Sequence, residues 1–215
     1  MMISDSITDA TIQAADYMRG VMDIIRPGWE EDDSTKNTPM RFAKYLMEFN
    51  QPIDMEKIFG SQFDVEPTVE NQKQKYSSDI DVLVRRHGII TQDFIPFTMI
   101  CEHHLLPAHG RAAIAYIPGV NNKVLGLSKL ARLVIAVGKE KPSLQEVIGK
   151  RIADLMVEHV RPDGVMVIIK SQHTCMSCRG VNTPDVQTTT SEVRGLLYEN
   201  ESARQEVLAL LKHGA

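Results

Sequence analysis

The chain has 215 residues, 43% hydrophobic and 24% charged, the make-up of an ordinary globular protein that can build a core without covalent help. Its formal charge of −4 argues against a general nucleic-acid binder, which is usually basic, but leaves room for an anionic small molecule in a local basic pocket. There is no apolar run of about 18 residues to predict a membrane span, and the opening MMISDSITDATIQ lacks the basic and apolar regions of a secretory signal. The expectation is a soluble cytoplasmic protein with neither a membrane nor a nucleic-acid partner.

Ser6 to Ile25 reads as a helix, with Ala15, Met18, Met22 and Ile25 at spacings of three and four and Pro27-Gly28 ending it. The acidic run Glu30 to Asp33 reads as a solvated link. Thr38-Pro39 offers an N-cap and a proline at the first helical position, and the helix that follows puts Phe42, Ala43, Leu46 and Met47 on one side, with Arg41 near its edge. From Gln51 to Ser78 the pattern is weak, broken by Pro52, Gly60 and Pro67. That stretch is expected to be irregular and to end an N-terminal helical extension (1–78) ahead of a main domain (79–215).

The second half is better patterned. Gly88 to Ile100 is strand-like, with Pro96 marking a bend or an edge position. Arg111 to Ile117 has strand composition and runs into a turn at Pro118-Gly119. A short strand is expected over Val124 to Leu127, then a helix capped by Ser128 and carrying Leu130, Leu133, Val134 and Val137. Ser143-Leu144-Gln145-Glu146 fits a capping box for a second helix with Ile148, Ile152, Leu155 and Met156. Val165 to Ile169 reads as a buried strand, Thr188 to Val193 as a strand with a polar face, and Ser202 to Gln205 as the opening of a last short helix. The order strand, strand, helix, helix, strand, strand predicts an α+β fold, an antiparallel sheet with two helices packed on one face. Its open edges would be covered by side-by-side association into a ring or barrel.

The chemistry gathers in two places. Cys101-Glu102-His103-His104 packs a thiol, a carboxylate and two imidazoles together, and the remaining cysteines, Cys175 and Cys178, follow His173. Three cysteines cannot complete a disulfide framework, and these spacings point to a metal in a reducing compartment. Two arrangements are open. Cys101, His104, Cys175 and Cys178 would close a saturated, inert Cys₃His zinc site, the reading that spacing alone favours. Three ligands and a water would instead make a reactive one. His103 and His173, which the closed site does not need, are suited to proton transfer near neutral pH.

Ser128 and Lys129 at a helix start, with Arg132 one turn on, could form an anion site or simply a solvated basic face. Arg179 puts a cation beside the second cysteine cluster. Glu146 has a local use in the capping box. Gln145 has none, and a Gln-Glu pair can offer donors and acceptors to a nucleobase edge.

The stretches IPFTMICEHHLLPAHGRAAIAYIP, VLGLSKLARLV, PSLQE, HTCMSCRGV with TTTS, and NTPMRFAKYL together resemble the GTP cyclohydrolase I family, over roughly residues 30 to 212. The resemblance implies a tunnelling fold assembled into a barrel-like homodecamer with sites between subunits. It implies an open zinc site on Cys101, His104 and Cys175, with His103 and His173 transferring protons. It implies that Gln145 and Glu146 recognise guanine, and that Ser128, Lys129, Arg132, Arg179 and Arg41 bind the triphosphate. The implied reaction is hydration of GTP at guanine C8, ring opening with loss of formate, and rearrangement to 7,8-dihydroneopterin triphosphate. Several cations and a helix N-terminus suit so anionic a substrate, and a carboxylate on the guanine edge would reject adenine.

Two positions depart from the family pattern: Cys178, where a non-ligating residue is common, and Val147, where arginine is frequent. The alternatives are a purine-nucleotide-binding module stapled by a closed zinc site, and a related tunnelling-fold enzyme acting on another pterin or a deazapurine.

Overall fold

A computed structural model of the chain describes residues 8–65 and 88–212, in two compact units divided between Gln51 and Pro52. The boundary expected at 78/79 lies outside the described residues, as do residues 66–78 of the weakly patterned stretch before it.

In the first unit, helix α1 (Asp9–Ile25) is capped by Thr8, whose hydroxyl accepts from the Thr11 N–H at 3.2 Å. Ala15 and Met22 are buried on its inner stripe, whereas Ile25, expected on the same stripe, is exposed. The largest buried side chain here is Trp29, just past the turn at Gly28 (φ +80°), with its indole N–H donating to Asp23 at 2.8 Å. The acidic link is solvated as expected at Glu30, Glu31 and Asp33, and Asp32 accepts from both the N–H and the hydroxyl of Ser34. Helix α2 (Thr38–Met47) starts one residue earlier than expected. Asn37 is the N-cap, and Pro39 sits in the first turn, where a missing N–H costs nothing.

The second unit begins with two elements that fall in the stretch expected to be irregular. Helix α3 (Met55–Phe59), capped by Asp54, buries Ile58 and Phe59 in the main core, and strand β1 (Gln62–Asp64) pairs antiparallel with β4 (Lys123–Leu125). Elements of five and three residues are too short for periodicity to reveal.

The main sheet is β2 (Ile90–Ile100), β3 (Pro107–Ile117), β5 (Gly164–His173) and β6 (Thr188–Gly195), antiparallel throughout and in the order β2-β3-β5-β6. Helices α4 (Leu127–Gly138) and α5 (Gln145–His159) come between β4 and β5. The period-two alternation of strands sets the layers. Ala112, Ile114 and Tyr116 of β3 and Val165, Val167 and Ile169 of β5 share a core with Leu130, Leu133 and Val134 of α4 and Ile148, Ile152 and Leu155 of α5. The α+β fold, with two helices on one face, is as expected.

The opposite face has cover that was not expected. Ala115, Ile117 and Met166 pack against Leu196 and Leu197 of α7 (Leu196–Glu199) and Ala203 and Val207 of α8 (Glu201–Lys212). Strands β2 and β6 are the sheet edges, and Pro96 lies on the edge strand β2, where a residue without an N–H is tolerated.

Besides Thr38, two expected caps do not form, and the last helix opens ahead of Ser202. Helix α4 has Gly126 as N-cap and takes Ser128 into its first turn, α5 has Leu144 as N-cap without a side-chain bond, and α8 is capped by Asn200, whose Oδ1 accepts from the Ala203 N–H at 3.0 Å. The strands also outrun their apolar runs, since β3 starts at Pro107 and β5 continues to His173. Among the described residues no helix is long and apolar enough to cross a membrane.

Candidate functional site

Past Ile100 the chain makes a tight loop. The Cys101 N–H donates to Leu106 O at 3.0 Å and the Leu105 N–H to Cys101 O at 2.9 Å, with Leu105 in the left-handed region at φ +52°. The loop leaves Cys101 buried and Glu102, His103 and His104 exposed. Ser143 clamps its base: the Ser143 N–H donates to Ile100 O at 3.0 Å, and Ser143 O accepts from Glu102 at 3.2 Å. The serine read as a helix cap thus has its backbone committed to the metal-ligand loop.

The second cluster arrives by strand register. Ala108 pairs with His173, so the end of β5 lies beside the start of β3. The Thr174 hydroxyl donates to Pro107 O at 2.6 Å and ties the short helical turn α6 (Thr174–Ser177) to the exit of the first loop.

These constraints bring ligand atoms of Cys101, His104 and Cys175 within 4.8 Å of one another. Ligand atoms on a tetrahedral zinc with bonds of about 2.0–2.3 Å are roughly 3.5 Å apart, so small side-chain movements would let one ion reach all three. Two thiols and an imidazole are a soft donor set that suits zinc. Burial, and then Cys101 beside it, push the Cys175 thiol's pKa up, while Arg179 opposes. A bound cation would reverse that balance by favouring the thiolates. Cys178 stands outside the group; its exposed thiol donates to Thr174 O at 2.8 Å.

His173 is half-buried, and its Nε2 lies 2.8 Å from Gln145 Oε1. Burial holds its pKa below the ordinary histidine value, and the Glu146 carboxylate opposes this without cancelling it. His103 is exposed, its ring edge-on to that of His104 at 6.2 Å between centroids.

Gln145 and Glu146, adjacent in the first turn of α5, have opposite surroundings. Glu146 is exposed and uncommitted to any cap. Gln145 is only 2% exposed, and its amide is engaged inside the protein rather than presented at a surface. Its Nε2 donates towards Ile169 O (3.0 Å), Thr188 O (3.2 Å) and Thr190 Oγ1 (3.1 Å), and its Oε1 accepts from the Ser171 hydroxyl at 2.7 Å. Ser143, Thr174 and Ser171 are the positioning groups that sequence reasoning missed. The only signal for Ser171 was a hydroxyl at the end of an apolar strand.

At the start of α4, Ser128 and Arg132 are exposed, while the Lys129 ammonium donates to Lys57 O at 2.5 Å. With Gly126 as N-cap, no side chain occupies the first amides of this helix. Arg179 is exposed and acts electrostatically on Cys175. Arg41 belongs to the first unit, where its guanidinium donates to Ser34 O at 3.4 Å.

Several known proteins are similar to this chain. A protein called GTP cyclohydrolase 1 from Bacillus pumilus is 42% identical over 195 residues, covering 90% of this chain and 93% of its own. One of the same name from Pelotomaculum thermopropionicum is 42% identical over 183 residues, 85% of this chain and 87% of its own. One from Listeria welshimeri is 50% identical over 119 residues, 55% of this chain and 62% of its own. The family model for GTP cyclohydrolase I matches from residue 18 to residue 212, through every element that carries the site, and the chain belongs to that family.

Proposed function

We propose that the chain is a GTP cyclohydrolase I that opens the imidazole ring of the guanine in GTP, releases C8 as formate and forms 7,8-dihydroneopterin triphosphate. The observation that carries this is the convergence of Cys101 and His104, in the loop after β2, with Cys175, just past β5, and with His173 at the end of β5 beside them. Family membership and the names of the similar proteins support it. Zinc held by those three residues would supply Lewis acidity and make water nucleophilic near neutral pH.

The chain's own residues do the rest. His173, kept neutral by burial, and His103, exposed on the ligand loop, exchange protons with the purine ring nitrogen and the leaving groups. The Glu146 carboxylate accepts from N–H donors on the guanine edge, a pattern adenine does not match. Ser128, Lys129 and Arg132 at the open start of α4, with Arg179 and Arg41, take the triphosphate. The edges of β2 and β6, unpaired among the described residues, support assembly into a homodecamer, which would cover both. The placement of Cys178 supports the open site over the closed one.

The zinc-loaded protein incubated with GTP is expected to release formate and give a product that fluoresces after oxidation. No turnover with the metal intact refutes the proposal, and a different product mass would point to the related enzyme acting on another pterin or deazapurine.

A further inference from the structure

The amide of Gln145 sits at the centre of a fully used hydrogen-bond network, and that network sets the state of His173. Its two N–H groups meet three acceptors, of which Ile169 O and Thr188 O are backbone carbonyls that cannot donate. Turning the amide over would place Oε1 against both carbonyls. The orientation is therefore fixed, with Oε1 towards Ser171 and His173. An amide oxygen only accepts, so the imidazole nitrogen 2.8 Å from it, Nε2, must carry the hydrogen. A neutral imidazole protonated at Nε2 has its lone pair on Nδ1.

The geometry points to Gln145 as a positioning residue for His173: its amide oxygen holds the imidazole in the Nε2–H form, so that Nδ1 is the nitrogen through which protons pass. The role in catalysis rests on the activity proposed above; the tautomer does not. When Nδ1 accepts a proton, the ring becomes a cation with the Nε2–H still on Gln145. When Nδ1 gives the proton to a substrate nitrogen, the ring returns to the same neutral form. The Nε2 hydrogen stays in place in both directions, and the ring neither flips nor rotates between them.

This assigns different work to the neighbouring residues Gln145 and Glu146. With all its donors and lone pairs occupied inside the protein and 2% of its surface exposed, Gln145 has nothing left for a nucleobase, whereas Glu146 is exposed in the same helical turn. Base recognition falls to Glu146 and histidine orientation to Gln145. Ser171 supports the arrangement by filling the second acceptor site of Oε1.

Nitrogen NMR of the full-length protein labelled with ¹⁵N-histidine, zinc-free and zinc-loaded, reads the tautomer directly. The His173 signal is expected to show hydrogen on Nε2 and a bare Nδ1 in both forms; hydrogen on Nδ1 overturns the proposal. Gln145→Met, which keeps the length and removes the acceptor, should admit the Nδ1–H form and lower kcat by about 10- to 100-fold, a usual range for losing such an orienting partner, with KM for GTP within about twofold. A raised KM with kcat kept, or a Met variant with an unchanged tautomer, overturns the role. If Gln145→Met does not fold, the tautomer of the unmodified protein still decides. Absence of formate release from the unmodified protein would sink the activity, whereas an Nδ1–H signal would sink the tautomer and leave the activity standing.

Discussion

Replacing Cys178 with alanine separates a reactive metal site from a structural one. The Cys178 side chain is exposed and makes one contact, S–H to Thr174 O at 2.8 Å. That carbonyl also accepts the Cys178 backbone N–H at 3.0 Å, so truncation leaves no buried group unpaired. An exposed change of this kind costs within about 0.5 kcal/mol, which in a chain of this length moves Tm by less than about 2 °C. Were Cys178 the fourth ligand of a closed site, the outcome would differ in scale. A thousandfold loss of zinc affinity removes about 4 kcal/mol of metal-linked stability, or roughly 8–16 °C in Tm. Zinc per chain by atomic emission, chelator competition, and melting with and without chelator measure the difference. Cys178→Ala is expected to keep one zinc per chain and its turnover, and Cys175→Ala to lose both. Loss of zinc from Cys178→Ala, with the large drop in Tm, refutes the three-ligand site.

Three further changes test the fold and the substrate pocket. Tyr116 is fully buried and its phenol oxygen accepts from the Leu125 N–H at 3.0 Å, so Tyr116→Phe orphans that donor and should cost about 1–3 kcal/mol in urea unfolding at neutral pH. Burial raises the Tyr116 pKa, so above about pH 10 the unfolded chain loses the proton first and the native protein loses stability as pH rises; the phenylalanine variant lacks this component, and a deficit that does not narrow there contradicts it. Gly195 has φ +60° and ψ −140°, and an added Cβ would lie 2.2 Å from Asp163 O; Gly195→Ala should therefore cost roughly 3 kcal/mol or more, and a loss below about 1 kcal/mol by urea titration would show that this turn can relax. Arg132→Ala should raise KM for GTP about tenfold and flatten the salt dependence of kcat/KM while kcat holds; an unchanged KM removes Arg132 from the triphosphate set.

What could be read from the chain followed the strength of each local signal. The core of the sheet and the inner faces of α4 and α5 were legible because Ile114, Val165 and Val167, and then Leu130, Leu133, Ile148 and Ile152, repeat at the periods of strands and helices. The cover over Ala115, Ile117 and Met166 was not, since Leu196 and Leu197 fall between the strand expected to end at Val193 and the helix expected to open at Ser202, with no periodic signal of their own. Serine and threonine were the commonest source of error. Thr38, Ser128 and Ser143 all looked like caps, yet Asn37, Gly126 and Leu144 hold those positions. A hydroxyl close to a helix start is cheap local evidence, and tertiary demands on the backbone override it. The candidate metal ligands were legible as two clusters, but spacing could not separate three ligands from four; the fold groups Cys175 with Cys101 and His104 and turns Cys178 to Thr174, which favours three.

The failed capping box at Ser143-Leu144-Gln145-Glu146 explains how one junction can serve the whole site. A capping box would have committed the Ser143 hydroxyl and the Glu146 carboxylate to the first amides of α5. With the N-cap at Leu144, Ser143 stays outside the helix and its backbone pairs on both sides of Cys101. The helix then begins at Gln145, and successive helical residues point about 100° apart. One residue can therefore aim its amide down onto β5 and His173 while the next stays in solvent, free for a ligand. The orphan amides left by the missing cap are a modest local cost. In exchange, the loop that carries Cys101 and His104, the half-buried histidine and the exposed carboxylate take their positions from four consecutive residues, so a shift in this junction would disturb all three together.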